Sequence, residues 1–403
     1  MQAALRRHII EPLYETAKGG ARLKYWKELE QSQYLPHAAL AERQLGRLKA
    51  LVSFVYGNNS FYRHHFDKAG LRPDDLQSPQ DIGRLPVLTK KEIRENMGAI
   101  ISKGFTTEGL LQFKTGGSTG KALSLYITED CSERRNACAR RHDRWSGWEV
   151  GEPIAALWGN VTDLTTRKQK LKDLLLSPHI WLDTMEVTER SVLAFARDWK
   201  KARPTLLFGH AHSLFLLAHY VQKLCITEIR PKAIISTSMM LLPNERALIE
   251  QVFDLRVFDR YGCEEVSLIA SECERHEGMH LNVEHLYIEF VKEDGGHAEP
   301  GEPGKIVVTD LMNYAMPFIR YDVEDVGIPK AGSCSCGRGM PLMEHVTGRV
   351  ADFLLKPDGT RVAGVSLIEN TLTKYPGIDQ MQIIQETVDG LTLRLVTGPA
   401  FSR

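Results

Sequence analysis

Apolar residues over the first hundred positions recur at helical spacing. Leu45, Leu48, Leu51, Val52 and Val55 keep that spacing, and the run ends at the Gly57-Asn58-Asn59-Ser60 breaker. Asp75, Ser78 and Asp81 punctuate the next segment. Leu85-Pro86-Val87-Leu88-Thr89 then leads into Lys90–Asn96, where Thr89 is an N-cap and Glu92 completes a capping box. Residues 1 to about 105 therefore read as mostly helical.

From about 110 to 330 the pattern changes to short apolar runs alternating with helical stretches. Ala155–Trp158, Thr205–Phe208, Ala233–Ser236 and Arg256–Phe258 read as buried strands, and Ser191–Ala202, Ser213–Leu224 and Asn244–Phe253 as helices between them. The alternation predicts an α/β fold with parallel strands. Tyr287–Val291 and Lys305–Thr309, across a Gly/Pro-rich turn, predict antiparallel material after it. A boundary falls near Gly348-Arg349, dividing a large domain (1–348), built of subdomains with mixed sheets and helices, from a small α+β segment (349–403) that looks incomplete. In that segment Phe353-Leu354-Leu355 and Thr360-Arg361-Val362 flank a hairpin turn, and Asp379–Gln385 and Leu391–Val396 read as two more strands. No internal repeat is visible.

Composition narrows the function classes. The 403 residues carry 51 Lys+Arg against 51 Asp+Glu, so no overall charge favours nucleic acid or an anionic membrane. A hydrophobic share of 43% excludes global disorder. The most apolar stretches, Ser213–Val221 and Ala233–Leu242, fall short of the ~18 apolar residues of a membrane span. The charged N-terminus lacks a signal-peptide pattern, and seven cysteines, an odd number, point to a reducing compartment. The expectation is a cytoplasmic protein whose clustered cysteines bind metal before they form disulfides.

The sharpest local signal is Thr115-Gly116-Gly117-Ser118-Thr119-Gly120-Lys121-Ala122. Glycines let backbone N–H groups converge, hydroxyls donate hydrogen bonds and the lysine adds charge, which suits a loop wrapped around phosphate. It is not a Walker A loop, because Thr115 and Ala122 stand where that pattern needs Gly and Ser/Thr. A flexible surface loop would have the same composition. Three further segments follow in order: Tyr261-Gly262-Cys263-Glu264-Glu265, Ile319-Arg320-Tyr321-Asp322-Val323-Glu324-Asp325, and Gly348-Arg349. An aromatic beside Gly can stack on a base, a strand-end Asp can hold ribose hydroxyls, and a Glu can hold Mg²⁺. Taken singly, each also reads as a solvated charge or a core tyrosine.

Their order resembles the adenylate-forming superfamily of acyl-CoA synthetases, and within it the phenylacetate–CoA ligase branch with its capsule-biosynthesis-type relatives. Asn59-Ser60-Phe61-Tyr62-Arg63 and Leu85-Pro86-Val87-Leu88-Thr89-Lys90-Lys91 are similar as well. The resemblance runs from about residue 40 to 370. It implies an acid–thiol ligase that joins a small carboxylic acid, aryl or other, to ATP as an acyl-adenylate and then transfers it to CoA. It implies that Thr115, Gly116, Gly117, Ser118, Thr119, Gly120 and Lys121 hold the β- and γ-phosphates, and that Ser236, Thr237, Ser238 and Met239 line the adenine pocket. Tyr261, beside Gly262, would pack on adenine, and Glu265 would ligate Mg²⁺. Asp325 would grip the ribose, with Arg349 assisting from the hinge. Lys121 and Glu265 would be the catalytic pair. A homodimer is common in the branch.

The sequence departs from the family in three places. Glu264 stands where Thr is usual and Asp322 where Arg is frequent. The family's late lysine, which holds the substrate carboxylate, has no counterpart in the expected setting: after Arg349 only Lys356 and Lys374 occur. The expectation is that this lysine is absent here, by trimming or by loss. Two alternatives therefore stand beside the ligase: transfer to a non-CoA acceptor in polysaccharide or cofactor biosynthesis, and an impaired nucleotide-binding homologue.

Cys334-Ser335-Cys336-Gly337 is a compact thiol pair, and Cys273 precedes His280 by seven residues. Three thiolates and one imidazole satisfy tetrahedral Zn²⁺ in a closed, structural site. The Cys273/His280 pair resembles a metal-bearing insert of some relatives. His276 is an alternative ligand, and four reduced residues without metal are the plain reading. Arg134, Arg135, Arg140, Arg141 and Arg144 crowd one helix and read as a solvated face among acidic neighbours, with a CoA or subunit contact as the alternative. His210 and His212 lie at a strand end, where one can line an acid pocket or cap a helix. Trp145, Trp148 and Trp158 read as core or pocket wall.

Overall fold

The computed structural model describes residues 2–114, 123–158, 166–176, 178–184, 186–349, 353–355, 357, 361–363, 378–398 and 401. Helices α1 (Gln2–Leu5), α2 (Glu11–Lys18), α3 (Arg22–Ser32), α4 (His37–Asn58), α5 (Ser60–Ala69), α6 (Lys90–Glu95) and α7 (Met97–Ile100) occupy the region read as helical. Asn59 ends α4 and caps α5 through its side chain, which accepts from the Tyr62 N–H. At α6 the capping box forms as expected: Thr89 Oγ1 accepts from the Glu92 N–H, and the Glu92 carboxylate accepts from the Thr89 N–H.

Strands β1 (Leu111–Lys114) and β2 (Ser124–Ile127) pair antiparallel, with Lys114 opposite Ser124. They bracket the Gly-rich loop, and the sequence pattern does not announce them. Residues 115–122 lie outside the described residues. α8 (Glu129–Trp145) follows, then β3 (Ile154–Leu157), α9 (Arg167–Leu176), β4 (His179–Leu182), α10 (Glu189–Ala202), β5 (Leu206–His210), α11 (Ala211–Lys223), β6 (Ala233–Thr237), α12 (Pro243–Phe253) and β7 (Val257–Cys263). After these come β8 (Ser267–Glu272), β9 (Met279–Leu281), β10 (Leu286–Val291), β11 (Gly304–Asp310), β12 (Tyr321–Lys330) and β13 (Leu342–Arg349). β14 (Phe353–Leu355) with β15 (Arg361–Ala363), and β16 (Ile378–Thr387) with β17 (Gly390–Thr397), form two separate hairpins, as the turn signals predict.

One sheet of 11 strands runs in the order β10-β11-β12-β13-β9-β8-β7-β6-β5-β3-β4. β4, β3, β5, β6 and β7 are parallel, and everything from β7 to β10 is antiparallel. β7 is the seam. Its length moves Tyr261-Gly262-Cys263 onto the strand itself, whereas the sequence reading places this motif after the strand. The parallel half is covered by α10, α11 and α12, whose Phe195, Trp199, Leu214, Leu217 and Ile249 bury against Leu157, Leu207, Ile234 and Val257. The opposite face takes Leu206, Ala233 and Ile235 with Trp148, which follows from side-chain alternation in strands. A second core joins α4 and α5 to the antiparallel half through Leu48, Leu51, Val52, Val55 and Phe66 against Ile269, Leu286, Val308 and Phe318.

The arginine-rich helix α8 does not present a solvated face. It packs between α3 and β8, and the guanidiniums of Arg135, Arg140, Arg141 and Arg144 are committed to carboxylates there. Arg141 is fully buried against Glu284, Arg135 pairs with Asp310 at 2.7 Å, Arg140 with Glu11 at 2.5 Å, and Arg144 with Glu30 and Glu149. Among the described residues no helix is long and apolar enough to cross a membrane.

Candidate functional site

The C-terminal ends of β6 and β7 meet the start of β12, where α/β sheets leave room for ligands. Ser236 and Thr237 finish β6 and are buried. The Ser236 hydroxyl has no hydrogen-bond partner among the described residues, an orphan in a fully buried position. Ser238 then takes a left-handed φ of 66°, and the exposed Met239 turns back to donate its N–H to the Thr237 carbonyl at 2.8 Å. The chain thus leaves the sheet abruptly after Thr237.

On β7, Tyr261 donates its hydroxyl to Asp325 Oδ2 at 2.8 Å, although 64 residues separate them. Asp325 lies directly across from Arg349 in the β12–β13 register. The residues expected at base, ribose and hinge are therefore contiguous. Gly262 is required sterically: a Cβ there would strike the Ser267 carbonyl.

Glu265 lies in the turn after β7 and is buried. Its Oε1 accepts from the Tyr321 hydroxyl at 2.8 Å, with Lys90 Nζ at 3.7 Å. Burial, and then the Glu265 charge, push the Tyr321 phenol and the Cys263 thiol far up, so both stay protonated. Arg135 donates to the Glu265 carbonyl at 2.8 Å while pairing with Asp310, which ties the Glu265 turn to α8. Lys90 also pairs with Glu324 at 2.7 Å. It arrives there because Leu88 bridges to Tyr321: the Leu88 N–H donates to the Arg320 carbonyl, and the Asp322 N–H to the Leu88 carbonyl. Sequence reasoning gives Lys90 and Tyr321 no role of their own and reads Arg135 as part of a solvated helix face. The Thr89 cap marks where Lys90 begins its helix, but nothing local shows that it reaches Glu265.

The two departures are both acidic. Glu264 is exposed, and burial raises the carboxyl of Asp322, which accepts from the Glu324 N–H at 2.7 Å. Arg320, beside them, is structural: it is buried and donates to Glu289 at 3.1 Å and to the Gly83 carbonyl at 2.8 Å. Lys121 with the rest of its loop, Lys356 and Lys374 lie outside the described residues, and Arg349 is described by its backbone.

His210, at the end of β5, sits 4.4 Å from the Trp158 ring, which stacks on Phe208, and burial lowers its pKa. These rings form an aromatic wall near the β6 terminus. His212 instead faces Glu245 on α12, with 2.8 Å between Nδ1 and Oε1, and serves to join α11 to α12.

Cys273, His280, Cys334 and Cys336 converge with their ligand atoms within 4.8 Å of one another. Cys273 and Cys334 sulfurs are 3.6 Å apart, and Cys336 Sγ is 3.3 Å from His280 Nε2. The backbone N–H groups of Arg275 and Arg338 point at Cys273 and Cys336 sulfurs, both at 3.5 Å, orienting them as outer-shell donors do around a metal. Burial and Arg338 press the His280 imidazole down to about 4, so it is neutral, the form that ligates. His276 is not in this group: its Nδ1 faces Glu272 at 3.2 Å.

No protein-family model matches the chain. Relatives match along most of it. A phenylacetate-coenzyme A ligase of Aromatoleum evansii is 25% identical over 388 residues, covering 92% of this chain and 85% of the relative. One from Thermus thermophilus is 25% identical over 401 residues, covering 94% and 86%. Protein CapK of Staphylococcus aureus is 23% identical over 361 residues, covering 89% and 78%. Among solved structures, a 2-hydroxyisobutyryl-CoA ligase in its postadenylation state superposes with a TM-score of 0.75 at 19% identity, covering 92% of this chain and 81% of that one. Its open conformation with 2-HIB-AMP and CoA superposes at 0.72, covering 92% and 87%. The fold is shared with these enzymes.

Proposed function

We propose, for a chain that belongs to the adenylate-forming superfamily in its phenylacetate–CoA ligase branch, that it activates a small carboxylic acid with ATP and passes the acyl group to CoA. The carboxylate oxygen attacks the α-phosphorus and pyrophosphate leaves. The CoA sulfur then attacks the acyl carbon, and AMP leaves with the electron pair of the broken C–O bond. The observation that carries the reading is the Tyr261–Asp325 hydrogen bond beside Arg349, which joins three residues distant in sequence where a nucleoside would need them.

In this reading Tyr261 covers the adenine, residues 236–239 edge it and Asp325 holds the ribose hydroxyls. Thr115–Lys121 holds the outer phosphates, and Gly348-Arg349 is the hinge between the domains. Catalysis is positioning plus neutralisation of charge on the leaving pyrophosphate, so no protein nucleophile is needed. Glu265 fits Mg²⁺ because it is a buried carboxylate whose Oε1 is fixed by Tyr321; when bound, the ion would neutralise phosphate charge. Trp158, Phe208 and His210 would wall the acid pocket. Cys273, His280, Cys334 and Cys336 fit structural Zn²⁺ by donor set and convergence, and four protein ligands close the site to substrate.

The test is pyrophosphate release with a panel of aryl and short-chain acids, with and without CoA, followed by mass spectrometry of the thioester. Acid-dependent release with thioester formation is expected. Acyl-adenylate that forms but is discharged only to another acceptor would favour a non-CoA transferase. ATP binding with no acid-dependent turnover would overturn the ligase reading.

A further inference from the structure

Away from this site, α3, α4, α8 and the turn between β9 and β10 enclose a cleft of about 420 Å³. Three arginines line it: Arg43 and Arg47, one turn apart on α4, and Arg134 from α8. Their counter-charges do not balance. Glu284 lines the wall, but its carboxylate is already satisfied by the fully buried Arg141 and by the Ser32 hydroxyl. Among the described residues Arg47 donates to the Glu284 carbonyl oxygen and to no carboxylate, and Arg134 shares Asp130 at 2.8 Å while lying 3.8 Å from the Tyr25 ring centre. Arg43 is exposed and makes no ion pair with a described residue. Glu28 is the one remaining carboxylate among the lining residues.

The floor adds a donor. His285 is buried and lines the cleft, and its ring makes no hydrogen bond with a described residue. Burial, then Arg141, Arg47, Arg134 and Arg135, hold its pKa well below the ordinary value, so the imidazole is neutral and offers one N–H. A carboxylate ligand would use one guanidinium fork. The guanidinium N–H groups of Arg43, Arg47 and Arg134 that these contacts leave over, with the imidazole N–H, suit an anion with three oxygens and two charges.

We propose that this cleft binds the phosphate group of a small phosphate monoester, whose hydroxyls would face Glu28 and Gln31. None of its lining residues belongs to the group around Tyr261, Glu265 and Asp325, so the site is separate from the nucleotide site. Arg134 and Arg135 are consecutive on α8, yet Arg135 serves the Glu265 turn and Arg134 the cleft.

The experiment titrates inorganic phosphate calorimetrically into the full chain held with saturating ATP and Mg²⁺ and no acid. Binding of one phosphate is expected. Arg43→Glu, at an exposed position where folding is not at stake, should weaken it at least tenfold and leave ATP affinity unchanged. Arg190→Glu, an equal charge change on the exposed face of α10, should leave phosphate binding as it was. No phosphate uptake up to about 50 mM in the presence of ATP, or equal losses in Arg43→Glu and Arg190→Glu, would each overturn the proposal.

Discussion

The hydrogen bond from Tyr261 to Asp325 can be separated experimentally from the stacking role of the tyrosine ring. Tyr261→Phe keeps the ring and deletes the donor, so Asp325 loses the contact that holds its carboxylate toward the ribose. A hydrogen bond to a charged acceptor contributes about 1.5–3 kcal/mol, and both residues are only partly buried, which favours the lower end. About 1.5 kcal/mol corresponds to roughly a tenfold rise in KM for ATP, with kcat little changed because ground and transition states lose the same ribose contact. Tyr261→Ala removes the base platform as well, and base–aromatic stacking adds about 1–3 kcal/mol, roughly a further 5- to 150-fold. Pyrophosphate release against ATP concentration, at fixed saturating acid, measures both variants. A KM within twofold of the parent for Tyr261→Phe would refute the assignment of this pair to the nucleoside. So would equal effects of Phe and Ala, because stacking would then be absent.

Three further outcomes follow from the packing. Arg141→Met strands the Glu284 carboxylate in the interior and should cost about 3–5 kcal/mol in urea unfolding, whereas Arg141→Met/Glu284→Gln should recover much of it. Burial and the Glu272 charge push the Asp259 carboxyl up to about 7, so the native state holds a proton that the unfolded chain releases near pH 4. Stability from this group is full below pH 4 and lost as pH rises through 7; Asp259→Asn should narrow the difference in unfolding free energy between pH 5 and pH 8, measured by urea titration, by roughly 1–2 kcal/mol. Cys334→Ser should abolish zinc binding, about one ion per chain by elemental analysis, and lower the melting temperature by several degrees; unchanged zinc content and melting would reject the metal site.

What could be read from sequence was local. The Thr89–Glu92 box, the Asn58–Asn59 break and the apolar runs at 155, 206, 233 and 257 each depend on neighbours within a turn or a strand, and each forms close to where it was expected. Features set by partners far along the chain were not legible. β8, β9, β12 and β13 are pinned by register with one another, and the sidedness of α8 is decided by Glu11, Glu30, Glu284 and Asp310. An arginine's spacing does not reveal whether a carboxylate waits opposite it. The candidate site divides the same way: Tyr261, Glu265 and Asp325 were named by motif order, whereas Lys90 and Tyr321 enter only because Leu88 docks on β12.

β13 has different duties at its two ends. Leu342, at one end, is paired with His280 beside the four-residue thiol and imidazole cluster, and Arg349, at the other, is paired with Asp325. Eight residues of strand span about 23 Å between them. The backbone between them is one strand, so a change of register at the cysteine end would be passed along toward Asp325, less whatever the bulge between Val326 and Gly327 absorbs. A clip that looks remote from the chemistry would then help to set which β13 residue stands opposite Asp325.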